Sequence, residues 1–144
     1  MIRLLTKNDL PNVKEIAQQN FTDELPSTNL LIDSFGEENY MFLGNFHNDV
    51  LASYLIALVS LDDVCITSIA TKNEYKHKGY AKELILQLAK ISAPKTLSLE
   101  VKDNNLPAIN LYKSLGFKTL QTRKKYYKDG SSALCMFLLE NKND

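Results

Sequence analysis

Two segments of this chain carry residue types whose spacing could do chemistry. The first, "YKHKGYAKEL" at residues 75–84, crowds lysines and a histidine around Gly79 just before a strongly helical run. A helix start offers backbone N–H groups without intrahelical partners and the positive end of the helix dipole. Lys76, His77, Lys78, Gly79, Tyr80 and Ala81 therefore form a candidate anion or phosphate cradle. Gly79 permits close backbone approach, and Ala81 is too small to obstruct it. Between Lys72 and Lys82 stand four lysines and one glutamate, a local surplus in a chain whose 17 basic and 17 acidic residues cancel. Taken alone, the same turn is equally an ordinary solvated, lysine-rich loop with a convenient glycine.

The second segment is "SLEVKDNNLPAINLYKSLGF" at residues 98–117. Glu100 stands near the end of a strand-like run, where a side chain can point into a cleft. Asn105 and Tyr112 are seven residues apart, which on a helix is two turns and nearly the same face. A carboxylate, an amide and a phenol are thereby directed toward a common region. Each also has a plain structural use: a solvated strand end, a helix cap, and a core tyrosine beside Ala108, Leu111 and Leu115.

The elements that must position these residues follow from periodicity. "IRLLT" reads as a short strand, followed by a helix with Leu10, Val13, Ile16, Ala17 and Phe21 on one face and Pro11 in its first turn. A second short helix is expected over about residues 27–35, capped by Ser27 or Thr28 after Pro26. "YMFLGNF" and "VLASYLIALVSL" read as antiparallel strands around "HND", and "VCITSIAT" follows as a β-branched strand. After the glycine turn, Ala81, Leu84, Ile85, Leu88 and Ala89 mark a helix that ends at Pro94. "KTLSLEV" is a strand, and the segment containing Pro107 is a helix terminated by Gly116. "FKTLQTRKKYY" and "SALCMFLLE" form a closing hairpin across "KDGS", leaving a frayed "NKND" tail. The order is strand, two helices, three strands, helix, strand, helix, two strands. It predicts an α/β (α+β) layer structure, a mixed sheet with helices on both faces.

Composition narrows the class further. A length of 144 residues with 44% hydrophobic and 24% charged residues suits one ordinary globular domain. The N-terminus lacks an apolar run of signal-peptide length, and no stretch is long enough to span a membrane. Cys65 and Cys135 each sit in an apolar strand-like run without metal spacing, so they read as buried hydrophobes in a reducing, cytoplasmic setting. The balanced charge gives no global attraction to nucleic acid or to an anionic membrane.

Together, "ITSIAT…YKHKGYAKELI" and "LEVKDNN…AINLYKSLGF" resemble the GNAT superfamily of acyl-CoA-dependent N-acetyltransferases. The nearest branch is the bacterial enzymes that act on the N-terminal alanine of a ribosomal protein. The resemblance spans nearly the whole chain, is strongest over about 64–127 and is thin over the first 40 residues. It implies a single domain over 1–144, with the GNAT fold and a mostly antiparallel central sheet of about seven strands. In that family the glycine turn wraps the pyrophosphate of coenzyme A, which here falls on Lys76, His77, Lys78, Gly79, Tyr80 and Ala81. Lys76 replaces the usual Gln or Arg. The resemblance further implies that Ile69, Ala70 and Thr71 pair with the pantetheine arm and that Asn105 contacts the cofactor. Tyr112 corresponds to the group that protonates the departing thiolate, and Glu100 to the general base. Tyr126 and Tyr127 fall where the closing hairpin walls the acceptor groove.

The implied reaction is direct attack of a neutral amine on the thioester of acetyl-CoA, with no metal and no covalent enzyme intermediate. A thiol pKa of about 8.5 and a phenol pKa of about 10 make Tyr112 a serviceable acid only when held against the sulfur. An α-amine, with a pKa of about 8, is neutral at pH 7 roughly a few hundred times more often than a lysine, at about 10.4. A protein N-terminus is therefore the favoured acceptor. A polyamine, amino acid or aminoglycoside is the rival, and a non-catalytic acyl-CoA-binding module or a nucleic-acid binder ranks lower. Ser131 and Ser132 replace an acidic pair found before the last strand in relatives, which weakens the ribosomal-protein assignment but not acetyl transfer. A monomer or weak dimer without membrane or direct nucleic-acid contacts completes the expectation.

Overall fold

The computed structural model describes residues 1–139, so the expected frayed tail and Glu140 lie outside the described residues. Its elements are β1 (Ile2–Leu4), α1 (Leu10–Asn20), α2 (Leu25–Ile32), β2 (Tyr40–His47), β3 (Val50–Ser60), β4 (Asp63–Thr71), α3 (Tyr80–Ser92), β5 (Thr96–Lys102), α4 (Leu106–Ser114), β6 (Lys118–Arg123) and β7 (Ala133–Leu139). The order matches the pattern expected from periodicity. Seven strands form one sheet in the order β1-β2-β3-β4-β5-β7-β6. All neighbours are antiparallel except β4 and β5. Among the described residues no helix is long and apolar enough to cross a membrane.

Strand alternation sends side chains into two cores. Leu55 and Ala57 of β3 join Leu84, Ile85 and Leu88 of α3 and Ile109 of α4, whereas Tyr54 and Ile56 join Val13, Ile16 and Ala17 of α1 and Ile32 of α2. Helices therefore cover both faces. A β-bulge falls at Thr67, because Ile56 pairs with Ser68 while the next residue, Ala57, pairs with Ile66. The extra residue inverts the alternation along β4, so Val64 and Ile66 face the α3 side and Ala70 faces the α1 side. The parallel pairing of β4 with β5 runs only from Asp63↔Thr96 to Ile66↔Leu99. Beyond it the two strands continue without pairing, and the sheet splits.

Turn chemistry agrees with the sequence at most joints. Asn48 and Asp49 both take positive φ (46° and 68°) in the β2–β3 hairpin, as a twisted two-residue turn requires. Two boundaries differ from expectation. Helix α2 starts at Leu25, with Pro26 inside its first turn, where a missing N–H leaves no helical bond unmade. Strand β6 stops at Arg123, so Tyr126 and Tyr127 lie in a loop rather than in a strand. Lys125 adopts a left-handed φ of 50°, and the Tyr127 and Gly130 N–H groups bond to Ser131 and Tyr127 carbonyls, closing a local turn in place of a ladder.

A charged box fastens β1 to α1. The Arg3 guanidinium grips the Asp9 carboxylate at 2.9 and 3.2 Å, and the Thr6 N–H donates to the same group at 2.7 Å. The Arg3 hydrogen bond above all, with the Thr6 bonds, lowers the Asp9 pKa from 3.8 to about 2. A carboxylate with a depressed folded pKa contributes stability that is complete above pH 3.8 and is lost as pH falls toward about 2. Asp9→Asn is expected to lower stability at pH 7 by about 1–2 kcal/mol in urea unfolding. It should also abolish this part of the acid dependence, which urea unfolding at a series of acidic pH values checks.

Candidate active site

Where β4 and β5 separate, a cavity of about 500 Å³ opens. Its walls are Ile66–Ile69 of β4, Leu99–Lys102 of β5, Asn105 and Tyr112 at α4, Asn20, Phe21, Glu24, Ser27 and Thr28 around the α1–α2 connection, and Tyr126 and Tyr127 of the β6–β7 loop. Leu99 and Val101 point into the α3–α4 core, so alternation turns Glu100 to the opposite face of the sheet. Tyr112 belongs to the α3–α4 core. Both nevertheless line the same cavity, because the split lets it pass through the sheet.

Glu100 is 36% exposed and has two neighbours, Arg123 Nη2 at 3.5 Å and the Cys135 thiol at 3.8 Å from Oε1. Cys135 lies opposite Glu100 in the β5–β7 register. Burial, then the Glu100 charge, pushes the Cys135 thiol up, so it stays protonated and donates. Glu100 is thus oriented by one thiol and one guanidinium. Tyr112 is only 6% exposed and packs on Phe117 with ring centres 5.9 Å apart. Burial raises its phenol to about 12, and its hydroxyl makes no hydrogen bond among the described residues. A protonated donor without a partner thereby faces the cavity. Asn105 caps α4, its Oδ1 accepting the Ala108 N–H at 3.3 Å as the helix-cap reading expects, and it lines the cavity as well.

The glycine turn stands apart from this cavity. Ile69 lines it, but Ala70, Thr71 and Lys76–Ala81 do not; they follow along β4 to the start of α3. His77 and Gly79 take positive φ (64° and 89°), and Gly79 occupies the cap position of α3. Among the described residues no acceptor meets the N–H groups of His77 to Ala81, leaving a run of open donors at a helix start. Side chains far away in sequence hold the turn. Asn20 donates to the Thr71 carbonyl at 3.0 Å and Gln19 accepts the Asn73 N–H at 2.9 Å. The buried Asn45 donates to the Tyr80 carbonyl at 3.2 Å and to Glu83 at 2.9 Å, and the Tyr80 hydroxyl sits 2.9 Å from His47 Nδ1.

Several of these residues escape sequence reasoning. Glu24, Lys102, Arg123, Cys135 and Asn45 act through partners dozens of residues away, which no local spacing reveals. Ser131 and Ser132 fasten the β6–β7 loop, Ser131 bonding to Asp129 and Ser132 accepting the Lys125 N–H, and neither lines the cavity. The Tyr127 phenol is raised to about 12, first by burial and then by the charge of Glu100.

The sequence model of the acetyltransferase (GNAT) family matches residues 10–117. The chain belongs to this family. It is therefore an N-acetyltransferase, and enzymes of the GNAT family use acetyl-CoA. The chain is 32% identical over 140 residues to the [ribosomal protein bS18]-alanine N-acetyltransferase of Haemophilus ducreyi, covering 91% of this chain and 92% of the relative. It is 31% identical over 129 residues to the enzyme of the same name from Escherichia coli K12, covering 88% and 86%. The crystal structure of the ribosomal-protein-S18-alanine N-acetyltransferase from Escherichia coli superimposes with a TM-score of 0.84 at 29% identity, covering 100% of this chain and 97% of that one. The fold expectation is met in full.

Because Tyr112 is desolvated, a difference ultraviolet titration of the GNAT enzyme against Tyr112→Phe should show a phenol ionising near 12. A midpoint near the ordinary value of 10 would contradict the buried placement.

Proposed function

We propose that this protein is a cytoplasmic enzyme that transfers acetyl from acetyl-CoA to the N-terminal α-amine of a protein. The observation that carries the reading is the cavity through the split sheet, lined from opposite faces by Glu100 and Tyr112. Acetyl-CoA supplies the activated acetyl thioester. The residues present fit that co-substrate, since open N–H donors from His77 to Ala81 suit a pyrophosphate and the unpaired edge of β4 beyond Ile66 suits an amide-bearing arm. Glu100 takes the proton released as the amine nitrogen bonds to the acetyl carbon, directly or through water. Tyr112 gives its proton to the sulfur as the carbon–sulfur bond breaks. Desolvation keeps this donor protonated throughout the working range, and the transfer depends on the hydroxyl being held against the sulfur as negative charge develops there. Asn105 borders the cofactor side of the cavity, and Tyr126 and Tyr127 wall the acceptor side.

The α-amine is favoured over a lysine because it is neutral far more often at pH 7, and one carboxylate then suffices as base. The names of the two curated relatives, both enzymes acting on a protein N-terminal alanine, support the same acceptor class.

Mass spectrometry of peptides with free and blocked N-termini, with polyamines and aminoglycosides alongside, tests the reading. Acetyl should appear on free α-amines alone. Transfer confined to small amines would overturn the acceptor assignment. Glu100→Gln and Tyr112→Phe should each lower kcat by about 10²- to 10⁴-fold. Gly79→Val should instead raise the KM for acetyl-CoA, since a β-branched residue is strained at a φ of 89°. The rate should climb with pH as the amine deprotonates near ~8, with no falling limb from Tyr112 below pH 11.

A further inference from the structure

We propose that Lys102 is a positioning residue that ties together the two walls of the acceptor end of the cavity and, by neutralising Glu24, sets which N-termini the enzyme accepts. This rests on the acceptor class proposed above. Lys102 is the last residue of β5, just past the point where the sheet has split. Its ammonium lies 2.9 Å from Glu24 Oε1 and 3.5 Å from Asp129 Oδ2, and 5.0 Å from the centre of the Tyr127 ring. Glu24 ends the 3₁₀ turn Thr22–Glu24 between α1 and α2, whereas Asp129 and Tyr127 belong to the β6–β7 loop. Among the described side chains no other ion pair or hydrogen bond joins these two segments.

The bridge is partly sheltered, with the Lys102 side chain 22% and the Glu24 side chain 24% exposed, so salt screens it less than a surface ion pair. The Glu24 bond first, then the charges of Glu24 and Asp129, raise the Lys102 pKa and keep it charged. Among the described residues the two carboxylates lining the cavity are each countered, Glu24 by Lys102 and Glu100 by Arg123. An incoming N-terminus with a basic second residue finds no unpaired carboxylate among the described residues lining this end. One with an uncharged second residue meets the part of the cavity lined by Phe21, Tyr126 and Tyr127.

Lys102→Met keeps the apolar stem and removes the charge, and Lys102→Arg keeps the charge. In hydrogen exchange, Lys102→Met should speed exchange in both 22–28 and 124–131, leave 76–83 unchanged, and be reversed by Lys102→Arg. Faster exchange in only one wall, in neither, or equally in 76–83 would overturn the bridge, and this readout needs no acceptor. In peptide kinetics, Lys102→Met should raise the KM for neutral-follower peptides by about tenfold. The acetyl-CoA KM should stay unchanged, and selectivity should shift toward peptides with Lys or Arg at the second position. That shift should vanish when Glu24→Gln is added. An unaltered peptide preference would overturn the specificity role even if the walls loosen. Wild-type enzyme inactive on every peptide would refute the acceptor class instead, while exchange still decides the bridge.

Discussion

The whole site depends on one interruption in backbone pairing. β4 and β5 are the only parallel neighbours in the sheet, and their ladder ends at Ile66↔Leu99 although both strands run on. Parallel pairing is slightly weaker per residue than antiparallel. Here each strand is also anchored on its far side, β4 to β3 and β5 to β7, so they can diverge without unravelling. The bulge at Thr67 begins where the parallel ladder stops, and the Thr67 hydroxyl donates to the Ile56 carbonyl at 3.0 Å. One extra residue thus bends β4 away and reassigns its faces at the same point.

Everything with chemical potential is arranged around that opening. A closed sheet would keep Glu100 and Tyr112 on opposite faces, screened from each other by backbone. The opening gives them a shared space while leaving their environments different, which suits the acid and base roles proposed for them. Glu100 keeps contact with solvent and two donors, and Tyr112 is wrapped in the α3–α4 core with no hydrogen-bond partner for its hydroxyl among the described residues. β4 then carries the chain from this cavity to the open N–H groups at the start of α3. Its exit is pinned by Gln19 and Asn20 at the end of α1, the same element that continues into Phe21 and Glu24 on the acceptor wall.

Local signals were readable in the sequence because they are local in physics. The apolar face of α3, the Asn-Asp turn after β2, Pro107 inside α4 and Gly116 beyond it each express a preference satisfied within a few residues. The glycine turn was legible in the same way, as a helix start at Gly79, whereas the left-handed φ of His77 was not. The start of α2 and the end of β6 were missed because proline tolerates two neighbouring positions and because a Tyr-rich, lysine-rich run carries strand propensity that the loop's own hydrogen bonds overrule. The split sheet, the bulge and the bridge from Glu24 through Lys102 to Asp129 have no sequence signature. They are products of register and of contacts between residues far apart in the chain. Glu100, Asn105 and Tyr112 are site candidates by resemblance, with spacing placing Asn105 and Tyr112 on one face, whereas Cys135 and Arg123 meet Glu100 only through the β5–β7 and β6–β7 registers.

The most direct test of this account is a crystal structure with a bisubstrate conjugate, coenzyme A joined through an acetyl bridge to a peptide N-terminus. The account predicts the pyrophosphate on the N–H groups of His77 to Ala81 and the sulfur within hydrogen-bond reach of the Tyr112 hydroxyl. The peptide nitrogen should lie on the Glu100 side, between the α1–α2 connection and the β6–β7 loop. A conjugate that leaves the opening between β4 and β5 empty, or that reaches it with the sulfur remote from Tyr112, would contradict it.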